Sequence, residues 1–244
     1  LSDRSDVGLG NVVGSNIANL FLILAGTAVL APMAITPGTW RVDGMAMLVA
    51  TVGFAALAMD GQLSRFDAGL LIVAMVTYLC FRLHADTNDG DHGDTVAYGK
   101  AAFLAAGGII LLPVGAHIFV EGAVNIATRF GVSDAIIGLT LVAIGTSLPE
   151  LTASLSAARK GRADMALGNI LGSGVFNSTI VIGSAALLVP ITIPPIFLDR
   201  GLWLMIAVAV ITIVFLRTGY RLGRREGAVM LAGYATIMYL MPTY

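Results

Sequence analysis

The chain has 244 residues, of which 57% are hydrophobic and only 12% are charged, and its mean hydropathy is +0.88. Soluble domains of average composition carry about twice that share of charged residues, so the composition excludes an ordinary water-soluble enzyme. The formal net charge of −1 leaves no basic excess for a nucleic-acid partner, and a lipid bilayer is the partner that the composition predicts.

Apolar segments of membrane-spanning length follow one another along the chain. Charged residues and prolines separate eight of them: 7–32, 42–59, 66–83, 101–127, 135–157, 164–190, 201–216 and 227–243. Most have the roughly 17–25 residues that a helix needs to cross a bilayer, although 42–59, 66–83 and 201–216 are at the short end of that range. Eight such segments in succession predict an all-α membrane protein.

Basic residues are distributed unevenly over the connections between these segments. One set of alternating connections carries ten of the 14 Lys and Arg residues: Arg41, Arg82, Lys100, Arg159, Lys160, Arg162, Arg217, Arg221, Arg224 and Arg225. The other set carries Arg4, Arg65, Arg129 and Arg200. Because cytoplasmic loops are enriched in Lys and Arg, we expect the first set in the cytoplasm.

A motif near the start of the chain is repeated in its second half. LGNVVGSNIAN at 9–19 returns as LGNILGSGVFN at 167–177, and the same offset of 158 aligns Gly61 with Gly219 and Gly69 with Gly227. The two copies are five predicted spans apart, an odd number, so they cross the bilayer in opposite directions. Such inverted repeats are typical of secondary transporters, whose site lies near the midplane where the halves meet.

An acidic segment, ADTNDGDHGDT at 85–95, separates the halves. It divides the chain into a first repeat over 1–84, a linker over 85–100 and a second repeat over 101–244. A metal-binding loop is the alternative interpretation, but the aspartates lack the spacing of an EF-hand. We interpret the segment as a solvated cytoplasmic linker.

The span 101–127 contains His117 and Glu121, four positions apart and therefore on one helix face. They could line a proton or Na⁺ path, but a structural role fits them equally well, and we leave both outside the predicted site. His117 together with Ser147 also raises the alternative of an intramembrane serine protease. That alternative leaves the inverted repeat and the next motif unexplained.

GTSLPE at 145–150 is the motif that carries chemistry. An acid such as Glu150 is costly inside an apolar span and by default marks an ion or proton site. On a helix Thr146 and Ser147 would share its face, Pro149 would free the carbonyl of Gly145, and Gly145 would loosen the backbone at the same place. These oxygens favour hard cations such as Ca²⁺ and Na⁺ over Zn²⁺ or Cu²⁺. A simple proline kink is the alternative.

The repeated motif predicts a second layer of polar side chains. Ser15 and Asn19 share one helix face, and Ser173 and Asn177 share the equivalent face of the second copy. We expect the two pairs to meet at the pseudo-twofold axis. Packing seams are the alternative for these glycine-containing stretches, but a seam needs small residues and not amides.

GLTLVAIGTSLPELTASLSAARKG followed by LGNILGSGVFN resembles the second alpha-repeat of the cation/calcium exchanger superfamily, in particular the prokaryotic sodium/calcium antiporters. LGNVVGSNIAN is similar to the end of the first alpha-repeat. The resemblance implies ten spans in two inverted five-helix repeats, and extrusion of Ca²⁺ against Na⁺ entry across a bacterial or archaeal plasma membrane. It implies no cofactor besides the transported ions. The residues that it implies as ligands are Glu150, Thr146, Ser147, Ser173, Asn177, Ser15 and Asn19.

Two departures from the family pattern qualify this expectation. Some relatives carry Asp where Asn177 stands, so Ca²⁺/H⁺ exchange, K⁺-dependent exchange and a passive cation channel remain alternatives. At an offset of 158 the counterpart of Glu150 would precede Leu1, so we expect eight of ten spans and an incomplete first repeat. On that basis we expect the 244-residue chain by itself not to transport.

Overall fold

The computed structural model describes residues 2–86 and 147–240 continuously, together with separate positions between 107 and 145. The predicted linker over 85–100 and the predicted span 101–127 lie almost entirely outside the described residues. The predicted span 135–157 is described at Gly145 and from Ser147 onward.

Seven helices make up the continuous parts. The first three are α1 (Ser2–Ala18, continuing through Asn19–Leu24 and Ala25–Leu30), α2 (Pro37–Thr39, Trp40–Gly44 and Met45–Ala58) and α3 (Arg65–Asp86). The others are α4 (Leu148–Arg159), α5 (Ala163–Phe176, Asn177–Val181 and Ile182–Leu188), α6 (Phe197–Gly201 and Leu202–Arg217) and α7 (Arg224–Leu240). The segments Asn19–Leu24, Trp40–Gly44, Asn177–Val181 and Phe197–Gly201 are π-helical.

Four helices of the described residues are long and apolar enough to cross a membrane: Gly8–Leu30, Pro37–Ala58, Ala163–Leu188 and Phe197–Arg217. Two of them are longer than predicted, since α2 was expected at 42–59 and α6 at 201–216. The hydroxyl of Thr36 caps α2 by accepting the Thr39 N–H at 3.4 Å, and Pro37 occupies its first turn, where a missing N–H costs nothing. The predicted spans 66–83 and 227–243 correspond to α3 and α7.

Four two-residue strands join the repeats, which the all-α prediction missed. They are β1 (Met33–Ala34), β2 (Gln62–Leu63), β3 (Ile191–Thr192) and β4 (Arg221–Leu222). β1 pairs antiparallel with β4, and β2 with β3, so each pair joins one connection of the first repeat to one of the second. Two residues are too few to produce an alternating pattern in the sequence.

The strand registers correct the repeat alignment. β1 and β3 are 158 positions apart, whereas β2 and β4 are 159 apart. The alignment of Gly69 with Gly227 is therefore wrong by one residue, because the second repeat has one residue more after Gly219. Tyr220 is this extra residue, and it has a left-handed backbone with φ +48°.

Packing between the repeats follows the same pseudo-twofold symmetry. α2 packs against α6 and α1 against α5, while α7 lies against the end of α1 and α3 against the end of α5. Glycines allow the close contacts of α7 with α1 and of α3 with α5. A Cβ at Gly227 would come within 2.7 Å of the Ala25 carbonyl oxygen, and one at Gly183 within 3.3 Å of the Ala68 carbonyl oxygen. Close helix approach at small residues is typical of membrane bundles.

The bundle has two chemically different ends. The β1–β4 pair, and hydrogen bonds from Thr36 and Thr39 to Asp164 (3.0 and 2.7 Å), bring the connections 31–36, 159–163 and 218–223 together. We call this the basic end, because its connections are flanked by Arg159, Lys160, Arg162, Arg217, Arg221, Arg224 and Arg225. The opposite end is held by the β2–β3 pair and a hydrogen bond from Arg65 to the Leu188 carbonyl oxygen (3.3 Å).

Candidate cation site

A buried polar layer lies where α1 and α5 meet. The α-helical ladder of α1 changes to a π-helix at Asn19, and that of α5 changes at Asn177, the equivalent position 158 residues later. Isolated π-helical turns within α-helices occur frequently at functional sites. The structure therefore marks the same pair of asparagines that the repeated motif singled out.

Two reciprocal hydrogen bonds join the repeats through these asparagines. Asn19 Nδ2 donates to Ser173 Oγ at 3.2 Å, and Asn177 Nδ2 donates to Ser15 Oγ at 3.3 Å. Each bond runs from one repeat to the other, so the expectation that the two Ser/Asn pairs meet is confirmed. Because the amide nitrogens point to the serines, the amide oxygens of both asparagines are left for other partners.

Asn16 also belongs to this layer, although its position in the sequence did not predict this. Asn16 Nδ2 donates to Ser178 Oγ at 2.7 Å, and Asn16 Oδ1 accepts from Asn177 Nδ2 at 3.3 Å. Its counterpart in the second copy of the motif is Gly174, so the comparison of the two copies did not single it out. The amide inside an otherwise apolar window was the signal available.

The helix that contains the GTSLPE segment is interrupted at Ser147. Gly145 is helical and buried, Ser147 lies in a turn with 1% exposure, and α4 begins at Leu148. Pro149 is therefore in the first turn of α4, where proline is well tolerated, rather than inside a helix. Ser147 is the N-cap residue of α4 and Glu150 is the third residue of that helix, so their shared face stays a prediction, and Thr146 lies outside the described residues.

Glu150 is held in the first turn of α4 by a contact from α5. Asn169 Nδ2 donates to the Glu150 carbonyl oxygen at 3.4 Å and to Ser154 Oγ at 2.9 Å. Asn169 belongs to the LGN triplet of the second motif, and neither it nor Ser154 was predicted to matter. Their hydrogen bonds fix the position of the Glu150 backbone relative to the polar layer.

Among the residues that the structure describes, two buried oxygens near this layer have no hydrogen-bond partner. They are Glu150 Oε2 and Asn19 Oδ1, and Asn19 as a whole is 1% exposed. α4 packs directly against the π-helical segment Asn19–Leu24 of α1, so the helices that carry these oxygens are in contact. Buried acceptors without donors are costly, which makes these atoms candidates for a cation ligand.

The atoms of this region that could bind a metal ion are hard oxygens. Within the described ranges, no group of three or more His, Cys, Asp or Glu side chains lies close enough to hold a metal. What the layer offers instead is one carboxylate together with amide and hydroxyl oxygens. Ligands of this kind suit Ca²⁺ and Na⁺.

His117 and Glu121 lie apart from the layer. Their side chains are exposed and form an i,i+4 pair with 3.5 Å between His117 Nε2 and Glu121 Oε1, as their spacing predicted. Among the positions described around residue 117, no hydrogen bond joins His117 to the buried Ser147. The pairing that a serine protease would need is therefore not formed.

Comparisons with known proteins identify the family of this chain. A family profile described as sodium/calcium exchanger protein matches residues 1–84 and 100–242. The chain is 33% identical to the inner membrane protein YrbG of Escherichia coli over 100% of the chain and 79% of that protein. It is 30% identical to the sodium/calcium exchanger MaX1 of Methanosarcina acetivorans, over 99% of the chain and 81% of that protein.

A solved structure has the same fold. The structure of the sodium-calcium exchanger NCX_Mj, soaked with Na⁺ and Sr²⁺, superposes with a TM-score of 0.82 at 27% identity. The superposition covers 98% of this chain and 78% of that one.

Proposed function

The chain belongs to the sodium/calcium exchanger family, and we propose that it supplies the polar layer between α1, α4 and α5 to a protein that exchanges Ca²⁺ for Na⁺. Proteins of this family are membrane transporters and not enzymes. We further propose which residues bind the exchanged ions. The residues that we assign to the site are Glu150, Ser147, Gly145, Thr146, Ser15, Asn19, Ser173 and Asn177.

The pair of unpartnered oxygens carries this proposal. Glu150 Oε2 and Asn19 Oδ1 are buried acceptors on two helices that pack together. A bound cation would compensate both oxygens at once, and a carboxylate with a neutral amide suits either Na⁺ or Ca²⁺. Asn16, Asn169 and Ser178 would hold the surrounding side chains in place.

Competition for one site accounts for exchange. If Ca²⁺ and Na⁺ bind the same carboxylate, an empty site keeps an uncompensated charge that opposes the change of access, whereas either loaded form can change sides. Sliding of one helix group against the rest would supply alternating access. The reciprocal bonds Asn19–Ser173 and Asn177–Ser15 run between the repeats, so a relative movement of the repeats would change the site directly.

The proposed architecture places this site in an inverted-repeat transporter. We propose that residues 1–84 and 101–244 belong to two inverted repeats of a ten-span fold and that 85–100 links them in the cytoplasm. The basic end would then face the cytoplasm of a bacterial or archaeal plasma membrane. Cysteine substitutions at Lys160 and Asp60 test this orientation, since an impermeant thiol reagent added outside cells should label only the second, in a Cys80→Ala background.

Reconstituted flux tests the proposal. The protein is produced from its natural gene and reconstituted into liposomes. These liposomes should take up Ca²⁺ when an outward Na⁺ gradient is imposed. Glu150→Gln should reduce this uptake to the level of protein-free vesicles, because it removes the charge that binds either ion. Glu121→Gln is the matched control, since it makes the same change at an exposed carboxylate and should leave the uptake unchanged.

Other results would contradict the proposal in different ways. Uptake at the wild-type rate by Glu150→Gln would remove Glu150 from the site. Uptake that ignores the Na⁺ gradient would indicate a channel, and uptake that follows an H⁺ or K⁺ gradient would replace Na⁺ as the counter-ion. Ca²⁺ should also raise the melting temperature of the wild type but not that of Glu150→Gln, because a ligand of the native state stabilises it.

A further inference from the structure

An open recess of about 640 Å³ lies at the basic end, beside the β1–β4 pair. Pro32 borders it from the connection after α1, and the rest of its lining comes from the connection between α6 and α7 and from the first turn of α7. Three guanidinium groups line it, those of Arg221, Arg224 and Arg225. We call it the arginine recess.

The charges of the arginine recess are not balanced. Its one carboxylate, that of Glu226, accepts the Gly223 N–H at 3.0 Å and so caps the N-terminus of α7. In the part of the chain that the structure describes, the guanidinium groups of Arg221, Arg224 and Arg225 form no ion pair or hydrogen bond. Because the helix N-terminus already has a cap, the attraction for an anion comes from these arginines. Planar guanidinium groups match the oxygens of a phosphate.

Apolar side chains continue from the recess along the outside of the bundle. Leu30 at the end of α1 is 56% exposed, and Val229, one turn beyond Arg225, is 60% exposed. Tyr220, in the connection between α6 and α7, is 45% exposed and has an amphipathic ring of the kind found at membrane interfaces. An anion with acyl chains would use both the arginines and this apolar surface, whereas a free anion would use the arginines alone.

The equivalent place at the opposite end lacks these features. There the connection between α2 and α3 carries Asp60, and the first turn of α3 carries Arg65 and Asp67; Asp67 caps α3 by accepting the Ser64 N–H at 2.9 Å. Arg65 donates to the Leu188 carbonyl oxygen. The same backbone therefore exists without the cluster of free arginines, so the recess is a property of these side chains and not of the fold.

We propose that the arginine recess binds the phosphate headgroup of an anionic phospholipid in the leaflet at the basic end. Arg221, Arg224 and Arg225 hold the phosphate oxygens, and the acyl chains lie along Leu30 and Val229. Basic pockets between transmembrane helices bind anionic headgroups in this way. The site is independent of cation transport, and its binding can be measured without flux.

Native mass spectrometry of the detergent-purified protein tests this site. Mixed with equal amounts of phosphatidylglycerol and phosphatidylcholine, the wild type should retain phosphatidylglycerol in preference. The triple variant Arg221→Gln/Arg224→Gln/Arg225→Gln should lose this preference and bind phosphatidylglycerol at least about tenfold more weakly. The matched control, Arg159→Gln/Lys160→Gln/Arg162→Gln, removes three charges from another connection of the basic end and should keep the preference.

A second variant tests the site if the triple variant does not fold. Glu226→Gln keeps an oxygen that can cap α7 but removes the negative charge, so it should bind phosphatidylglycerol a few-fold more tightly. Equal retention of both lipids by the wild type, or an unchanged preference in the triple variant, would overturn the proposal. Inorganic phosphate that displaces the lipid at equal concentration would also overturn it, because the recess would then recognise the free anion.

Discussion

The two ends of the bundle share one backbone plan and differ in charge. Each has a two-residue strand pair, a helix N-terminus capped by a carboxylate and a π-helical entry into the next span. At the basic end the π-helical entry contains Asp43, whereas the equivalent position at the opposite end is Gly201. Backbone pairing and close packing are thus shared by the repeats, while charged side chains distinguish the ends and give a pseudo-symmetric bundle one orientation.

The largest effect should come from removing Asp43. Asp43 is 2% exposed, and its carboxylate accepts a hydrogen bond from Tyr78 Oη at 2.9 Å and pairs with Arg82 Nε at 3.4 Å. Asp43→Ala should lower the free energy of unfolding by about 3 kcal/mol, because both partners lose their acceptor. Unfolding by SDS in mixed micelles measures this. Tyr78→Phe, which removes the bond from Tyr78 to Asp43 but keeps the ion pair with Arg82, should cost about 1 kcal/mol, and equal costs for the two variants would contradict the assignment.

A smaller effect should distinguish the two glycine contacts. A Cβ at Gly227 would meet the Ala25 backbone oxygen at 2.7 Å, while one at Gly183 would meet the Ala68 oxygen at 3.3 Å. Gly227→Ala should therefore destabilise by about 2 kcal/mol and Gly183→Ala by less than about 1 kcal/mol. The same SDS titration compares them. A larger loss at Gly183 would show that the end of α5 packs more rigidly than the end of α1.

Removing the two helix caps should change the free energy of unfolding by smaller amounts than the glycine substitutions. Asp67 accepts from both the N–H and the hydroxyl of Ser64, at 2.9 and 2.6 Å, whereas Glu226 accepts only the Gly223 N–H at 3.0 Å. Asp67→Ala should cost about 1 kcal/mol and Glu226→Ala about half as much. Titration in SDS at neutral pH measures both. Equal losses would mean that the Ser64 hydroxyl bond adds nothing to the cap.

The smallest change should be stabilising. Tyr220 has φ +48°, a conformation that costs a non-glycine residue roughly 1 kcal/mol, and its ring is largely exposed. Tyr220→Gly should raise the free energy of unfolding by up to about 1 kcal/mol. Tyr220→Ala is the control, since it removes the ring but keeps the strain. A loss of stability in both variants would show that the ring makes a contact that outweighs the strain.

Patterns that repeat over many residues made much of the fold predictable. Long apolar segments predicted α1, α2, α5 and α6, and the two copies of the LGN motif predicted the meeting of Asn19 with Ser173. Features set by one or two residues were not predictable in this way. The strand pairs have no periodicity, and Tyr220 shifts the register by one residue without changing the hydropathy pattern.

The candidate site was predictable to a similar degree. Glu150 was identified because a carboxylate inside an apolar segment is costly and by default marks an ion site. The serines and asparagines were identified because they occur in both copies of the motif. Asn16 was missed because its counterpart is Gly174, and Asn169 because its bonds to Ser154 and the Glu150 backbone depend on how α4 and α5 pack. Pro149 was placed inside a helix because a proline fits a helix start and a kink equally well in sequence.

The strand pairs between the repeats have a mechanical consequence. Since β1 is bound to β4 and β2 to β3, each connection at either end is tied to a segment more than a hundred residues away in the chain. A force applied at the C-terminus unravels α7 first, by breaking its contact with α1, and must then break the β1–β4 pair before it can extract α6. In single-molecule pulling, we therefore expect a separate rupture between the extraction of α7 and that of α6, because β4 lies between these two helices and is bound to β1.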